Sequence, residues 1–242
     1  MKKVAISQSN YIPWRGYFDL INSVDEFILY DTMQYTRRDW RNRNLIKTPQ
    51  GVQWLSVPVD SKGKYTQSID ATKISTQSYK RKHLECLRHN YAKASYFKEY
   101  YEWFAMLLNN INTSYLSELN TELIIAINKL LGITTKITHS SSFNLIGDKT
   151  ERLCEICKQV GANEYISGPS AKCYMDLSVF KKANIEVKFF NYDNYMEYPQ
   201  LYTPFVNSVS ILDLIFNVGK NAPFYLKSYA NSRVCGGGDS PL

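Results

Sequence analysis

No stretch of this 242-residue chain approaches the roughly 20 consecutive apolar residues of a membrane-spanning helix. Met1-Lys2-Lys3 runs straight into a strand-like apolar segment, without the long apolar core of a signal peptide. Neither a membrane span nor an export signal is expected. Histidine is scarce, with three residues. His83 and His89 stand six apart and so face different ways on a helix, whereas a two-His metal site needs a spacing of about three or four. His139 stands alone, and no metal is expected. The five cysteines (86, 154, 157, 173, 235) are odd in number and form no spaced framework. With no export signal they are expected to be reduced thiols in a cytoplasmic protein. Cys154 and Cys157 have redox-motif spacing, but Leu153, Ile156 and Cys157 follow a helical apolar stripe, so buried thiols are expected. Charged residues make up only 21% of the chain against 44% apolar, which excludes wholesale disorder and allows a substantial core.

What the chain does have is tyrosine and positive charge. Nineteen tyrosines combine apolar rings with hydrogen-bonding tips, suiting a carbohydrate or nucleotide site or simply a compact surface. The formal net charge of +7 favours an acidic ligand: a nucleotide-sugar, a phosphate, a membrane surface or RNA.

Hydrophobic periodicity predicts an α/β fold. Strands are expected at 3–8 and 26–31, with a helix from Trp14 to Ser23 between them, the unit of a parallel sheet. Residues 43–47 and 53–59 read as a hairpin across Thr48-Pro49-Gln50-Gly51, and 68–74 as a further strand. Helices are expected at 77–92, 95–110 and 115–131, where apolar residues recur at three and four spacing. Strands at 134–138, 164–167 and 185–190 then alternate with helices at 148–160 and 175–182, and a last helix at 209–218 precedes a Gly-rich tail. The reading is a single domain, 1–242, with a mostly parallel, Rossmann-like sheet and a helical insertion at 77–131.

The candidate site lies in the first fifty residues. In an open parallel sheet, ligands bind beyond the carboxyl ends of the strands. Gln8 and Asn10 follow the first strand, so their amides can bond sugar hydroxyls or a base edge. Tyr11, Trp14 and Tyr17 offer rings, and Gly16 allows close backbone approach. The alternative is an ordinary turn whose Pro and Trp pack on the core. Arg37, Arg38, Arg41, Arg43 and Lys47 form a basic cluster suited to phosphate, or else a solvated hairpin. Arg43 is the first choice among them. Asn44 shares the other strand face with Asn42. Asp31 ends the second strand and is the candidate general base, with Gln34 beside it; an Asp capping a turn is the alternative. Gly147-Asp148-Lys149-Thr150 and Ser167-Gly168-Pro169-Ser170 open helices, where backbone N–H groups attract anions, or where Asp148 and Ser170 act as caps. With residues 8–17 these loops can surround one cleft at the sheet's carboxyl edge.

Gln8-x-Asn-Tyr-x-Pro-Trp-x-Gly-Tyr-Phe18, Asp31-x-x-Gln-Tyr35 and Asn42-Arg-Asn-x-Ile-Lys47 resemble the signature of the WbqC-like proteins of bacterial O-antigen and related surface-polysaccharide clusters. Asn90-Tyr-x-Lys-Ala94, Gly147-Asp-Lys-Thr150, Tyr165-x-Ser-Gly-Pro169, Tyr198-Pro-Gln200 and Ser210-Ile-Leu-Asp213 extend the resemblance over nearly the whole chain. It implies a transferase that acylates the amine of a nucleotide-linked amino sugar, with glycine as the suggested group. No cofactor is identified. Glycyl-tRNA, an aminoacyl-tRNA, suits the basic surface as donor. ATP with free glycine suits a second resemblance, to nucleotidylyltransferase-like HUP folds, in which Trp14-Arg-Gly-Tyr17 stands where a His-x-Gly-His turn holds phosphates. The alternative is a noncatalytic nucleotide-sugar-binding or scaffold protein, and a third reading is RNA binding through the Arg-rich segment. Whether the basic residues line a closed pocket or spread over an open face separates these readings.

Overall fold

A computed structural model describes residues 1–229. Cys235 and the Gly-rich tail lie outside them. Five short strands build one parallel sheet: β1 (Lys3–Ser7), β2 (Glu26–Leu29), β5 (Lys136–His139), β6 (Glu164–Ser167) and β7 (Glu186–Phe189). Their order is β5-β2-β1-β6-β7, so β1 is central and the chain winds outward first to one side and then to the other. This is a doubly wound, Rossmann-like arrangement whose direction reverses between β1 and β6.

Alternation along the strands explains why both faces are covered. Ala5, Phe27, Leu29 and Ile166 join one buried cluster with helices α1 (Arg15–Asn22) and α7 (Ile211–Val218). Val4, Ile6, Ile28 and Tyr165 face the opposite cluster with α5 (Lys149–Gln159) and α6 (Leu177–Lys182). The long crossover from β2 to β5 carries a separate hairpin, β3 (Arg43–Thr48) and β4 (Gly51–Ser56), and three helices: α2 (Tyr79–Tyr91), α3 (Phe97–Asn110) and α4 (Leu116–Leu131). Buried residues of these helices join the cluster of α1 and α7. Gly132, at φ +72°, ends α4 in the left-handed conformation that glycine adopts without steric cost.

Two local expectations are corrected. Residues 68–74 do not form a strand; they make isolated bridges to three different segments, Gln34 to Ser68, Val59 to Ile74 and Lys73 to Tyr115, so no continuous ladder forms. The hairpin pairs Thr48 with Gly51, so its turn is two residues, and β4 ends before Val57 and Pro58. Val57 N–H instead donates to Asn42 C=O at 2.7 Å. Among the described residues no helix is long and apolar enough to cross a membrane.

Candidate functional site

A cavity of about 700 Å³ opens at the carboxyl edge of the sheet where β1 and β6 diverge. Its floor is Ile6, Leu153 and Tyr165 from the α5 side of the sheet. Ser7 and Gln8 enter from the end of β1, and Ser167, Gly168 and Ser170 from the end of β6. Lys149, Thr150 and Arg152 come from the first turns of α5, and Arg41 closes the rim from the loop before β3. Three cations thus face one carboxylate, Asp148. That carboxylate caps α5 through Oδ1, which accepts from Thr150 N–H at 2.8 Å and Glu151 N–H at 2.9 Å. Glu151 returns the bond to Asp148 N–H at 2.8 Å, completing a capping box. The wall presents positive charge to an anion.

Arg41 and Tyr30 are the least satisfied groups of this wall. Arg41 Nη1 donates to Asn10 Oδ1, and Nη2 lies 3.6 Å from Asp39 Oδ2. Its Nε is buried without a partner. Burial lowers the Arg41 pKa, opposed by Asp39, Tyr17 and Asp31, but a guanidinium stays charged at neutral pH. Tyr30 follows β2, and its hydroxyl is likewise buried with no partner. Burial pushes its pKa up, with Arg152 pulling the other way.

The turn at residues 8–13 is held from several sides. Asp31 accepts from Ser9 N–H at 2.8 Å and from the Ser117 hydroxyl. The Tyr17 hydroxyl donates to Gln8 C=O at 3.0 Å. Ile12 adopts φ +36°, a costly conformation for a β-branched residue that persists only where the surroundings enforce it. Asn44 supplies that enforcement: its amide donates to Tyr11 C=O at 3.1 Å and Ile12 C=O at 3.0 Å. The fully buried Tyr11 donates its hydroxyl to His83 Nδ1 at 2.8 Å, while His83 Nε2 contacts Ser56 C=O at 3.2 Å. This pairing needs a neutral imidazole, and burial depresses the His83 pKa to about 4.

Gln8, Ser167, Gly168 and Ser170 are therefore brought together at the main cavity. Asn10, Trp14 and Asn44 line a smaller hollow of about 200 Å³, with Trp40 and Ser208. The Arg41–Asn10 pair joins one hollow to the other. Tyr11 and Tyr17 are buried, and Gly16 lies under the Trp14 ring, where an added Cβ would meet Cζ2 at 2.3 Å. Asp31 is in the buried joint just described, and Gln34 donates to Tyr65 C=O at 2.5 Å; neither lines the cavity. Arg43 turns outward onto Trp54, its guanidinium carbon 3.9 Å from the ring centroid. Lys47 is buried, its ammonium donating to Pro204 C=O. Arg15 of the Trp14–Tyr17 turn donates to Met196 C=O at 2.7 Å and packs on Tyr195, so that turn gives a phosphate-holding role no support. Cys154 and Cys157 are buried free thiols whose pKa burial raises. Sequence reasoning missed Tyr30 and Arg152. Tyr30 sits next to Asp31 at a strand's carboxyl end, and Arg152 two residues past Thr150, so position relative to the strand ends was the available signal.

The remaining motif segments converge away from the cavity. Asp213 accepts from Tyr91 and Tyr198 hydroxyls, each at 2.7 Å, and from the Gln200 amide at 2.8 Å. Tyr91 in turn accepts from Lys47 N–H at 2.8 Å. Burial raises the Asp213 pKa and these hydrogen bonds oppose the rise. The network ties β3, α2, α7 and the Tyr-rich loop together.

The chain matches the family model of the WbqC-like protein family over residues 8–225. It is also 52% identical over 227 residues to the "Uncharacterized protein Rv1507c" of Mycobacterium tuberculosis, covering 94% of this chain and 98% of that one. No solved structure matches it.

Proposed function

Because the chain belongs to the WbqC-like protein family, we propose that it is a transferase of surface-polysaccharide biosynthesis. It takes a nucleotide-linked amino sugar into the β1–β6 cavity and acylates the sugar amine with an aminoacyl group, glycine. The observation that carries the reading is the cavity at the sheet reversal, with Arg41, Lys149 and Arg152 on its wall and its one carboxylate engaged in capping. Guanidinium forks suit the diphosphate. Gln8, Ser167 and Ser170 suit sugar hydroxyls. The volume falls in the range of small-molecule sites, about 300–1,000 Å³. Both oxygens of Asp31 already accept hydrogen bonds, so in this reading Asp31 holds the turn that presents Gln8.

A second reading, a noncatalytic nucleotide-sugar-binding protein, is favoured by one observation: no histidine lines the cavity, and its one carboxylate, Asp148, caps α5 through Oδ1. One experiment addresses both. The full chain is screened by thermal shift against nucleotide-linked amino sugars, since a ligand of the native state raises the melting temperature by mass action. Ligands that bind are then incubated with aminoacyl-tRNA, or with glycine and ATP, and the sugar is weighed by mass spectrometry. A mass gain of one aminoacyl group supports the transferase. Binding without a mass gain supports the second reading, and no binding by any nucleotide-sugar overturns both.

A further inference from the structure

The arginines of residues 37–43 divide between two surfaces. Arg41 turns in to the cavity. Arg37 and Arg38 are exposed, and half-buried Arg43 lies on the open side of the β3–β4 hairpin. That open side also carries large aromatic rings. Trp40 and Trp54 are 38% and 39% exposed, with ring centroids 5.1 Å apart. Arg43 covers Trp54 and also donates to Arg38 C=O, which ties the loop to the hairpin. Arg37 lies 5.3 Å over the ring of Tyr65, itself 72% exposed, and donates to Ser61 C=O. Lys62 and Lys64 are exposed in the same loop. Residues 36–65 hold seven Lys and Arg but only two Asp and no Glu. Of those two, Asp39 is turned to Thr36 and Arg41, leaving Asp60 as the exposed carboxylate.

Two tryptophans and a tyrosine are thus exposed beside Arg37, Arg38, Arg43, Lys62 and Lys64, and no carboxylate among the described residues forms an ion pair with these cations. Base faces stack on exposed rings and phosphates pair with interleaved Arg and Lys, and the two together hold a single strand. A duplex hides its base faces, and a neutral glycan has no use for the charge. Asn10 and Ser208 line the hollow beside Trp40, and the Asn10 amide N–H and the Ser208 hydroxyl are polar groups of the kind that bond a ribose 2′-hydroxyl. We propose that this face binds single-stranded RNA, with bases on Trp40, Trp54 and Tyr65 and phosphates on Arg37, Arg38, Arg43, Lys62 and Lys64. The inference goes beyond the cavity reading and does not depend on it.

The test is fluorescence anisotropy of the full chain with labelled oligo(U), alongside oligo(dT) of equal length and an RNA duplex. Oligo(U) is expected to bind at least about tenfold more tightly than either. Trp40→Ala and Trp54→Ala should each weaken it by about tenfold or more, from lost stacking, and Trp54→Phe should retain most of the affinity. The pair Arg37→Ala with Arg38→Ala should lower the slope of log affinity against log salt by about 1.4. The arginine pair should keep the wild-type melting temperature, and every folded variant should keep any rise that a nucleotide-sugar produces, which separates this face from the cavity. Absence of oligo(U) binding, equal binding of duplex or oligo(dT), tryptophan variants that bind like wild type, or displacement of oligo(U) by a neutral oligosaccharide would each overturn the proposal.

Discussion

The two faces of the central sheet treat their buried charged groups differently. On the α1 and α7 side every carboxylate is met. Asp19 accepts from the Tyr195 hydroxyl at 2.6 Å and Ser228 N–H at 2.7 Å. Asp213 accepts from Tyr91, Tyr198 and Gln200. Arg15 is wrapped by Asn207, Met196 C=O and the rings of Tyr195 and Tyr198. On the α5 side, the cavity wall leaves Tyr30 Oη and Arg41 Nε without partners. On the α1 and α7 side Tyr79, Asn120 and Asn128 also carry unpartnered buried atoms, but these are neutral groups and none lines the cavity. A buried polar group without a partner costs stability. The buried charges of the α1 and α7 side are spent within the scaffold, whereas Arg41 and Tyr30 on the cavity wall keep hydrogen-bonding capacity that a ligand can use.

That contrast breaks most visibly at Asp213. Asp213→Ala orphans three buried donors and should cost about 3–5 kcal/mol in chemical denaturation. Ligand affinity of the surviving folded protein should be unchanged; a loss of affinity at unchanged stability would move Asp213 into the site. His83 provides the next largest effect. Its folded pKa of about 4 lies below the unfolded value near 6.5, so the unfolded chain takes up the proton first. Stability is then full above pH 6.5 and falls as pH drops toward 4, by about 3 kcal/mol at about 1.4 kcal/mol per unit. His83→Gln should flatten that segment of the stability–pH curve, and an unaltered slope would assign the pH dependence to other groups. Gly16→Ala forces the Trp14 ring away from Tyr192 and Tyr195 and should cost about 1–3 kcal/mol by overpacking. The smallest effect sharpens the comparison from the cavity side. Tyr30→Phe removes a hydroxyl with no protein partner, so stability should hold or rise while nucleotide-sugar affinity drops by about 1 kcal/mol. A stability loss without an affinity change would place Tyr30 with the scaffold.

The sheet and its helices were legible because apolar runs and three-four spacing report burial directly. Ala5 and Ile6 face opposite clusters as alternation requires. The cavity was legible as a place, the carboxyl edge, more than as a set of side chains. Strand alternation puts Arg43 and Lys47 on one face, yet one is open and the other sealed, since Pro204 of a distant loop lies over Lys47. No local pattern encodes that cover. Arg41 lies outside any strand, and its inward turn depends on Asn10 and on Asn120, whose amide donates to Arg41 C=O at 2.9 Å from 79 residues away. The motif Tyr198-Pro-Gln200 looks like a site in sequence because it is polar and aromatic. Its polar atoms are spent on Asp213 and on Val206 C=O.

The central claim is that the β1–β6 cavity, and not the outer arginine face, holds the phosphates of a nucleotide-linked sugar. Calorimetric titration of that ligand into wild type, Arg41→Ala and Arg43→Ala, with melting temperatures measured on the same samples, tests it most directly. Arg41→Ala should lose about 1.5–3 kcal/mol of binding, the worth of a charge-assisted hydrogen bond, while Arg43→Ala binds as wild type. The reverse order, with Arg43→Ala weakened and Arg41→Ala unaffected at equal melting temperatures, would contradict the account.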